Sequence, residues 1–252
     1  MSELHYTDIN SATIDRWVSE GWEWGQPIDH ETYARACQGD WSVKLTPVIP
    51  VPASWWPELR GAEVLGLASG GGQQMPILTA VGANCTVLDY SPAQLASEHL
   101  VAEREGYDIN IVRADMTQPL PFSDNSFDLV FNPVSLCYVR EVEPIWREVA
   151  RVLKPGGVLL TGLDTGLNYV VDQAEERIVR GLPFDPMSDP SILSELEQED
   201  EGVQFSHTLN DLLGGLLHTG FVLDDLYEDV NGEGRLSELG IPTMLAVRAH
   251  IH

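Results

Sequence analysis

The hydrophobic pattern changes period repeatedly along the chain, and each change marks an element. Short runs rich in apolar residues recur at Ala62–Ala68, Cys85–Leu88, Asn110–Arg113, Phe127–Phe131 and Val158–Thr161. Helical patterns lie between them. One runs from Gln73 to about Val81 and is closed by Gly82; another starts at Ser91-Pro92, with a capping box to Gln94, and reaches Gly106. A third, Pro144–Leu153, places Ile145, Val149, Val152 and Leu153 on its apolar face before Lys154-Pro155-Gly156-Gly157 breaks it. Strands alternating with helical segments predict βα units and a parallel sheet.

The two ends depart from that rhythm. Near the N-terminus Asn10 is placed to cap a helix with Ile14, Trp17 and Val18 inward, a staple between Ile9 and Ile14, and a stop at Gly21. A short helix from Asp29 through Tyr33 and Ala36 to Gly39 follows, and Pro47, Pro50, Pro52 and Pro57 then force an extended connection. From Asp164 to Ser206 the alternation lapses into an acidic insertion containing Glu195, Glu197, Glu199, Asp200 and Glu201, with a helix or two expected. Thr208–Leu217 reads as a helix ended by Gly220. Phe221–Val230 and Met244–Ile251 read as strands joined by a Gly/Glu-rich loop without a helix, and therefore antiparallel.

Composition narrows the function. A chain of 252 residues, 43% hydrophobic, can bury a substantial core, and its formal charge of −25 repels phosphate backbones and anionic lipid. Neither a nucleic-acid partner nor a membrane is expected. The opening MSELHYTDIN has no basic and apolar leader pattern, and no apolar stretch approaches membrane-spanning length, so a cytoplasmic protein is expected. Cys37, Cys85 and Cys137 form neither a disulfide framework nor a zinc knuckle, and Cys85 and Cys137 read as small core residues. The histidines show no metal-ligand spacing and most read as surface residues, so no metal is expected.

The candidate chemistry sits at the ends of the first two strands. Ala68-Ser69-Gly70-Gly71-Gly72 is a small-residue turn leading into a helix, where a ligand's polar groups can approach the backbone. Asp89, 19 residues after Gly70, ends the second strand, where a carboxylate can accept from both hydroxyls of a ribose. A dinucleotide fingerprint would need a third glycine where Met75 stands, which argues against a nicotinamide-dependent oxidoreductase; no phosphate-cradling P-loop is present either.

The ordered blocks VLGLASGGG, LDYSPAQL, ADM, LPFSDNSFDLVFNPVSLCYV and RVLKPGGVLL, spanning about Ala62 to Thr161, resemble the class I S-adenosylmethionine-dependent methyltransferases. The resemblance implies a Rossmann-like, doubly wound, mostly parallel seven-stranded sheet with an antiparallel C-terminal strand and helical caps. It implies a single domain with an N-terminal cap (1–58), a cofactor-binding core (59–163), an acidic insertion (164–206) and a C-terminal helix and strand pair (207–252). It places Ala68, Ser69, Gly70 and Gly72 along the methionine moiety, Asp89 on the ribose, Tyr90 beside the adenine, Asp115 and Met116 on the adenine edge, and Asn132 facing the methionine end. Asn132 alternatively caps a strand end ahead of Pro133.

Two departures stand out: Gly66 occupies the position where the family usually has an acid, and Ala68 one where it has glycine, which asks only that φ stay negative there. The expected reaction is methyl transfer from S-adenosylmethionine to a small-molecule acceptor. Tyr6, Trp17 and Tyr138 are candidate substrate walls, with Trp22, Trp24 and Trp41 beside them; the tryptophans alternatively glue the N-terminal appendage to the core. A non-catalytic S-adenosylmethionine- or S-adenosylhomocysteine-binding protein is the alternative. The acceptor, the need for a general base and the oligomeric state stay open at this stage.

Overall fold

The computed structural model describes residues 5–188, 192, 196 and 202–252. Seven strands form one sheet in the order β3-β2-β1-β4-β5-β7-β6. Five are parallel: β1 (Glu63–Leu67), β2 (Asn84–Asp89), β3 (Asn110–Arg113), β4 (Phe127–Asn132) and β5 (Leu153–Asp164). β7 (Met244–Ile251) lies antiparallel between β5 and β6 (Phe221–Asp229). The five-residue helix α7 (Gly234–Glu238) interrupts the β6–β7 connection, contrary to the sequence expectation, but is too short for a parallel crossover. Doubly wound sheets bind ligands beyond the carboxyl ends of their strands, where the order reverses. Here that point lies between β1 and β4.

Both sheet faces are covered. One carries α5 (Glu143–Val152), whose Ile145, Trp146, Val149 and Val152 are buried against Leu65, Leu67, Val130 and Leu159. A π-helical turn (Asn210–Gly214) leads into α6 (Gly215–His218), where one continuous helix was expected, and the Leu212 carbonyl accepts from Trp146 Nε1 at 3.1 Å. The opposite face carries α3 (Gln74–Ala80), α4 (Pro92–Glu105) and α2 (His30–Cys37). The proline-rich stretch is more than a connection: Val43, Leu45, Val51 and Trp55 belong to this second core.

Capping chemistry fixes α4 as expected: Ser91 Oγ accepts from the Gln94 N–H, and Gly106 closes the helix in the left-handed region. The N-terminal helix differs. α1 (Tyr6–Ser19) begins four residues before Asn10, so Asn10 is an internal, buried residue rather than a cap. Glu195, Glu197, Glu199, Asp200 and Glu201 lie outside the described residues; the described part of the insertion has 3-10 turns at Leu167–Tyr169 and Pro186–Ser188. Among the described residues no helix is long and apolar enough to cross a membrane, and no His/Cys/Asp/Glu cluster is arranged to hold a metal. Cys85 and Cys137 are buried as expected, whereas His207 is also buried, against the Leu136 carbonyl.

Candidate functional site

A cavity of about 500 Å³ runs along the carboxyl edge of the sheet, roofed by α1 and the described insertion residues. Its floor begins with the turn after β1, whose backbone is tied down residue by residue. The Ala68 N–H donates to the Leu88 carbonyl at 2.8 Å, Gly70 to Asp89 Oδ2 at 3.0 Å, Gly71 to the Gln94 carbonyl at 3.0 Å and Gly72 to Glu98 Oε1 at 2.8 Å. β2 and α4 thus mould the turn from beneath. A Cβ at Gly70 would stand 2.9 Å from Asp89 Oδ2 and 2.7 Å from Gln94 Cβ, so glycine keeps backbone and carboxylate open to one ligand.

The two departures have local causes. A Cβ at Gly66 would meet Met75 Sδ at 2.6 Å; fully buried Met75 fills the space an acid at Gly66 would need. Ala68 has φ +48°, so the turn demands the left-handed region there, against the expectation of a negative φ. A non-glycine residue held in that region stores backbone strain, here on the cavity wall.

Asp89 anchors one end. Oδ2 accepts from Gly70 and Oδ1 from the Ser91 N–H at 3.0 Å, leaving each oxygen a further lone pair toward the cavity. Burial pushes its carboxyl pKa up, against the lowering effect of the Ser91, Gly70 and Tyr90 amides. Tyr90 beside it donates from its hydroxyl to Asp8 Oδ1 at 2.6 Å and lies under the Arg113 guanidinium. Asp115 Oδ1 accepts from the Thr117 N–H and Oγ1, both at 2.8 Å, while Oδ2 has no such partner among the described residues.

Of the residues singled out in the sequence, Ala68, Ser69, Gly70, Asp89, Tyr90, Asp115, Met116 and Tyr138 share this lining, with Trp22 and Trp24. The others do not. The Gly72 amide points to Glu98 and its backbone packs against Ser97 and Pro27. Asn132 is fully buried: Nδ2 donates to the Leu67 carbonyl (2.9 Å) and Ser135 Oγ (2.8 Å), and Oδ1 accepts from Thr161 Oγ1 (3.0 Å). It braces the ends of β1, β4 and β5, which is the capping alternative. Tyr6 packs edge-on against Phe205, Trp17 against Trp22, and Trp41 against Trp56, away from the cavity lining.

Sequence reasoning missed the polar underside of α1 and the far wall. Asn10, Ser11 and Thr7 line the cavity, and Asn10 holds the 202–206 segment through Val203, accepting from its N–H at 2.6 Å and donating to its carbonyl at 2.9 Å. Asp164, Asn168 and Tyr169 form the far wall with Cys137 and Phe184. The available signal was positional: Asp164 ends β5 as Asp89 ends β2.

The comparisons agree with this geometry. Residues 65–161 match the model of the methyltransferase domain. An uncharacterized methyltransferase of Bacillus subtilis, YbaJ, is 36% identical over 230 residues, covering 88% of this chain and 90% of that one. In fold, the chain is similar to an S-adenosylmethionine-dependent methyltransferase from Mesorhizobium loti (TM-score 0.62, 24% identity, 78% of this chain and 94% of that one). A second solved structure, a putative S-adenosylmethionine-dependent methyltransferase from Listeria monocytogenes, gives a TM-score of 0.60 at 15% identity over 79% of this chain and 94% of that one. With a full-length relative and a sheet order that agree, this chain belongs to the class I S-adenosylmethionine-dependent methyltransferases.

Proposed function

We propose that the protein transfers the methyl group of S-adenosylmethionine to a small-molecule acceptor by in-line displacement, with Asp89 as the ribose anchor. The observation that carries this reading is the continuity of the cavity: it links Asp89 and Asp115 on one side to the β4 and β5 ends on the other. The bound donor supplies a methyl group on a cationic sulfur, already activated toward a nucleophile. The chain's task is then alignment and exclusion of water, which alone account for large accelerations. Asp89 and the Asp115 Oδ2 edge fit the hydroxyls and amino group of an adenosine, and the glycine-floored turn fits the sulfur-bearing chain. Described residues of the N-terminal cap and of the insertion, among them Asn10, Trp24, Asn168 and Phe184, serve as cavity walls within one domain. Size and charge both favour a small acceptor: an adenosyl donor takes up most of about 500 Å³, and a formal charge of −25 disfavours nucleic acid.

Calorimetric titration tests the reading. Two charge-assisted hydrogen bonds are worth about 1.5–3 kcal/mol each, so Asp89→Ala and Asp89→Asn are expected to weaken S-adenosylmethionine binding by roughly 100-fold or more. Unchanged affinity in both variants, each shown folded by its thermal melt, contradicts the anchor.

A further inference from the structure

Resting on that reading, we infer that the recess around Asp164 receives the acceptor, that the acceptor is a small amine, and that Asp164 takes its proton. The strand order sets the distance. Asp89 ends β2 and Asp164 ends β5, three strand spacings apart (β2-β1-β4-β5), and the register sets Asp164 two residues further along, so about 14 Å laterally and about 7 Å along the strands give roughly 16 Å. That span accommodates a ribose, a sulfur with its methyl and one acceptor atom in line, so Asp164 stands where an acceptor's departing proton would be.

The recess is built rather than incidental. Asp164 Oδ1 accepts from the Gly166 N–H at 2.6 Å and Oδ2 from Asn168 Nδ2 at 2.8 Å, which fixes the carboxylate and leaves a lone pair on each oxygen. Asn168 is clasped by Asn231, whose Nδ2 donates to Asn168 Oδ1 at 2.7 Å, and Asn231 Oδ1 accepts from the fully buried Thr243 at 2.8 Å. This chain of side chains joins the end of β5 to the β6–β7 connection and orients one carboxylate at the cavity wall. Tyr138 shares the lining, and its hydroxyl makes no hydrogen bond among the described residues. Tyr169 and Phe184 stack at 5.6 Å and add aromatic faces.

The chemistry selects the amine. The groups nearest Asp164, namely Cys137, Tyr138 and Tyr169, are all held protonated by burial and by the carboxylate's own charge, so the recess presents one anion and π-faces. Two cations also reach the cavity lining, Lys44, whose Nζ donates to the Pro47 carbonyl, and Arg180, whose guanidinium covers the Phe184 ring. At the Asp164 side an ammonium can pair with the carboxylate and face the Tyr138 and Tyr169 rings, and burial makes Asp164 a better base than an exposed aspartate. In the step, Asp164 removes one N–H proton from the ammonium. The freed nitrogen pair forms the new C–N bond while the S–C bond breaks and the sulfur keeps its pair. Methylated ammonium and neutral thioether result, and Asp164 passes its proton to water.

The test uses the full chain with a tritiated-methyl donor and a panel of small amines, alcohols, thiols and carboxylates. Calorimetry of each panel member against the S-adenosylhomocysteine complex gives a readout independent of turnover. Methylation and binding confined to amines are expected. Asp164→Asn should lose 100-fold or more in kcat and tenfold in amine affinity with donor affinity within threefold of the parent; Tyr138→Phe, which removes one oxygen, should lose about tenfold in kcat. Donor binding intact with alcohols, thiols or carboxylates preferred, with no amine turned over, or with Asp164→Asn within threefold of the parent in kcat overturns the inference alone. Loss of donor binding in the parent protein overturns the proposed function and this inference together.

Discussion

At the scale of single residues, two side chains near the turn after β1 hold unusual positions for physical reasons that can be measured. Met75 occupies the space beside Gly66, so Gly66→Asp in the parent is overpacked and is expected to cost about 1–3 kcal/mol in urea unfolding. Met75→Ala alone leaves a cavity, at about 2–5 kcal/mol. In the Met75→Ala background, Gly66→Asp should cost at least about 1 kcal/mol less than in the parent, because the two share one volume. Strict additivity would show that Met75 is not what displaced the acid. Glu98, beneath Gly72, is the second case. Its Oε1 accepts the Gly72 N–H, its Oε2 is buried without a partner among the described residues, and burial pushes its pKa up to about 8. The native carboxyl therefore keeps its proton up to about pH 8, while the unfolded one releases it near 4.5. Between those values the native state binds more protons, so this group lowers stability as pH rises through the window, by at most about 1.4 kcal/mol per unit, and has no further effect above it. Glu98→Gln stays neutral throughout, and its unfolding free energy should gain on the parent's steadily from pH 5 to pH 8. Parallel profiles for the two proteins would mean that Glu98 is ionised in the native state.

At the scale of elements, the βα core was legible because local signals and tertiary context agree there. Ser91 caps α4, Gly82 and Gly106 end their helices, and β1 to β4 fall within a residue or two of their apolar runs. α1 was misread because hydrophobic periodicity finds faces that bury apolar atoms, and its buried positions are Thr7, Asn10, Ser11 and Thr13. Their partners come from distant segments that no local pattern reveals. The cavity lining was legible where a single strand end supplies it, as at Asp89, and illegible where a wall is assembled from β5, β7 and the insertion, as at Asp164. α1 also reaches the Asp89 side of the cavity. Asp15 Oδ1 accepts from Ser91 Oγ at 2.5 Å and from the Ala93 N–H at 2.9 Å, adding a second capping group to α4, and Ser11 Oγ donates to the Tyr90 carbonyl at 3.1 Å. Removing a cap costs about 1 kcal/mol. Asp15→Ala is thus expected to raise amide hydrogen exchange across α1 and at Ser91–Ala93, leave β1 and β4 protected, and weaken donor binding about fivefold. Unchanged exchange in α1 would show that apolar packing, not this polar contact, seats the helix.

At the scale of the whole molecule, charge is the dominant fact. Thirty-nine acidic residues face 14 basic ones. Many of the basic residues are spent on local pairs, such as Arg151 with Glu148 and Asp124, and Lys154 with Asp128. The surplus of negative charge repels itself in the compact state and less so in the expanded chain. Salt screens this repulsion, since the Debye length falls from about 10 Å at 0.1 M to about 3 Å at 1 M. The exposed ion pairs that salt also weakens contribute little, about 0–1 kcal/mol each, so repulsion decides the sign. The thermal midpoint is therefore expected to rise by several degrees as sodium chloride increases from about 0.02 to 1 M, and the protein should pass unretained through heparin at about 0.05 M. A midpoint that falls with salt would show that the ion pairs outweigh the net charge. Retention on heparin would reveal a basic face, and with it a route to nucleic-acid acceptors that the small-molecule reading excludes.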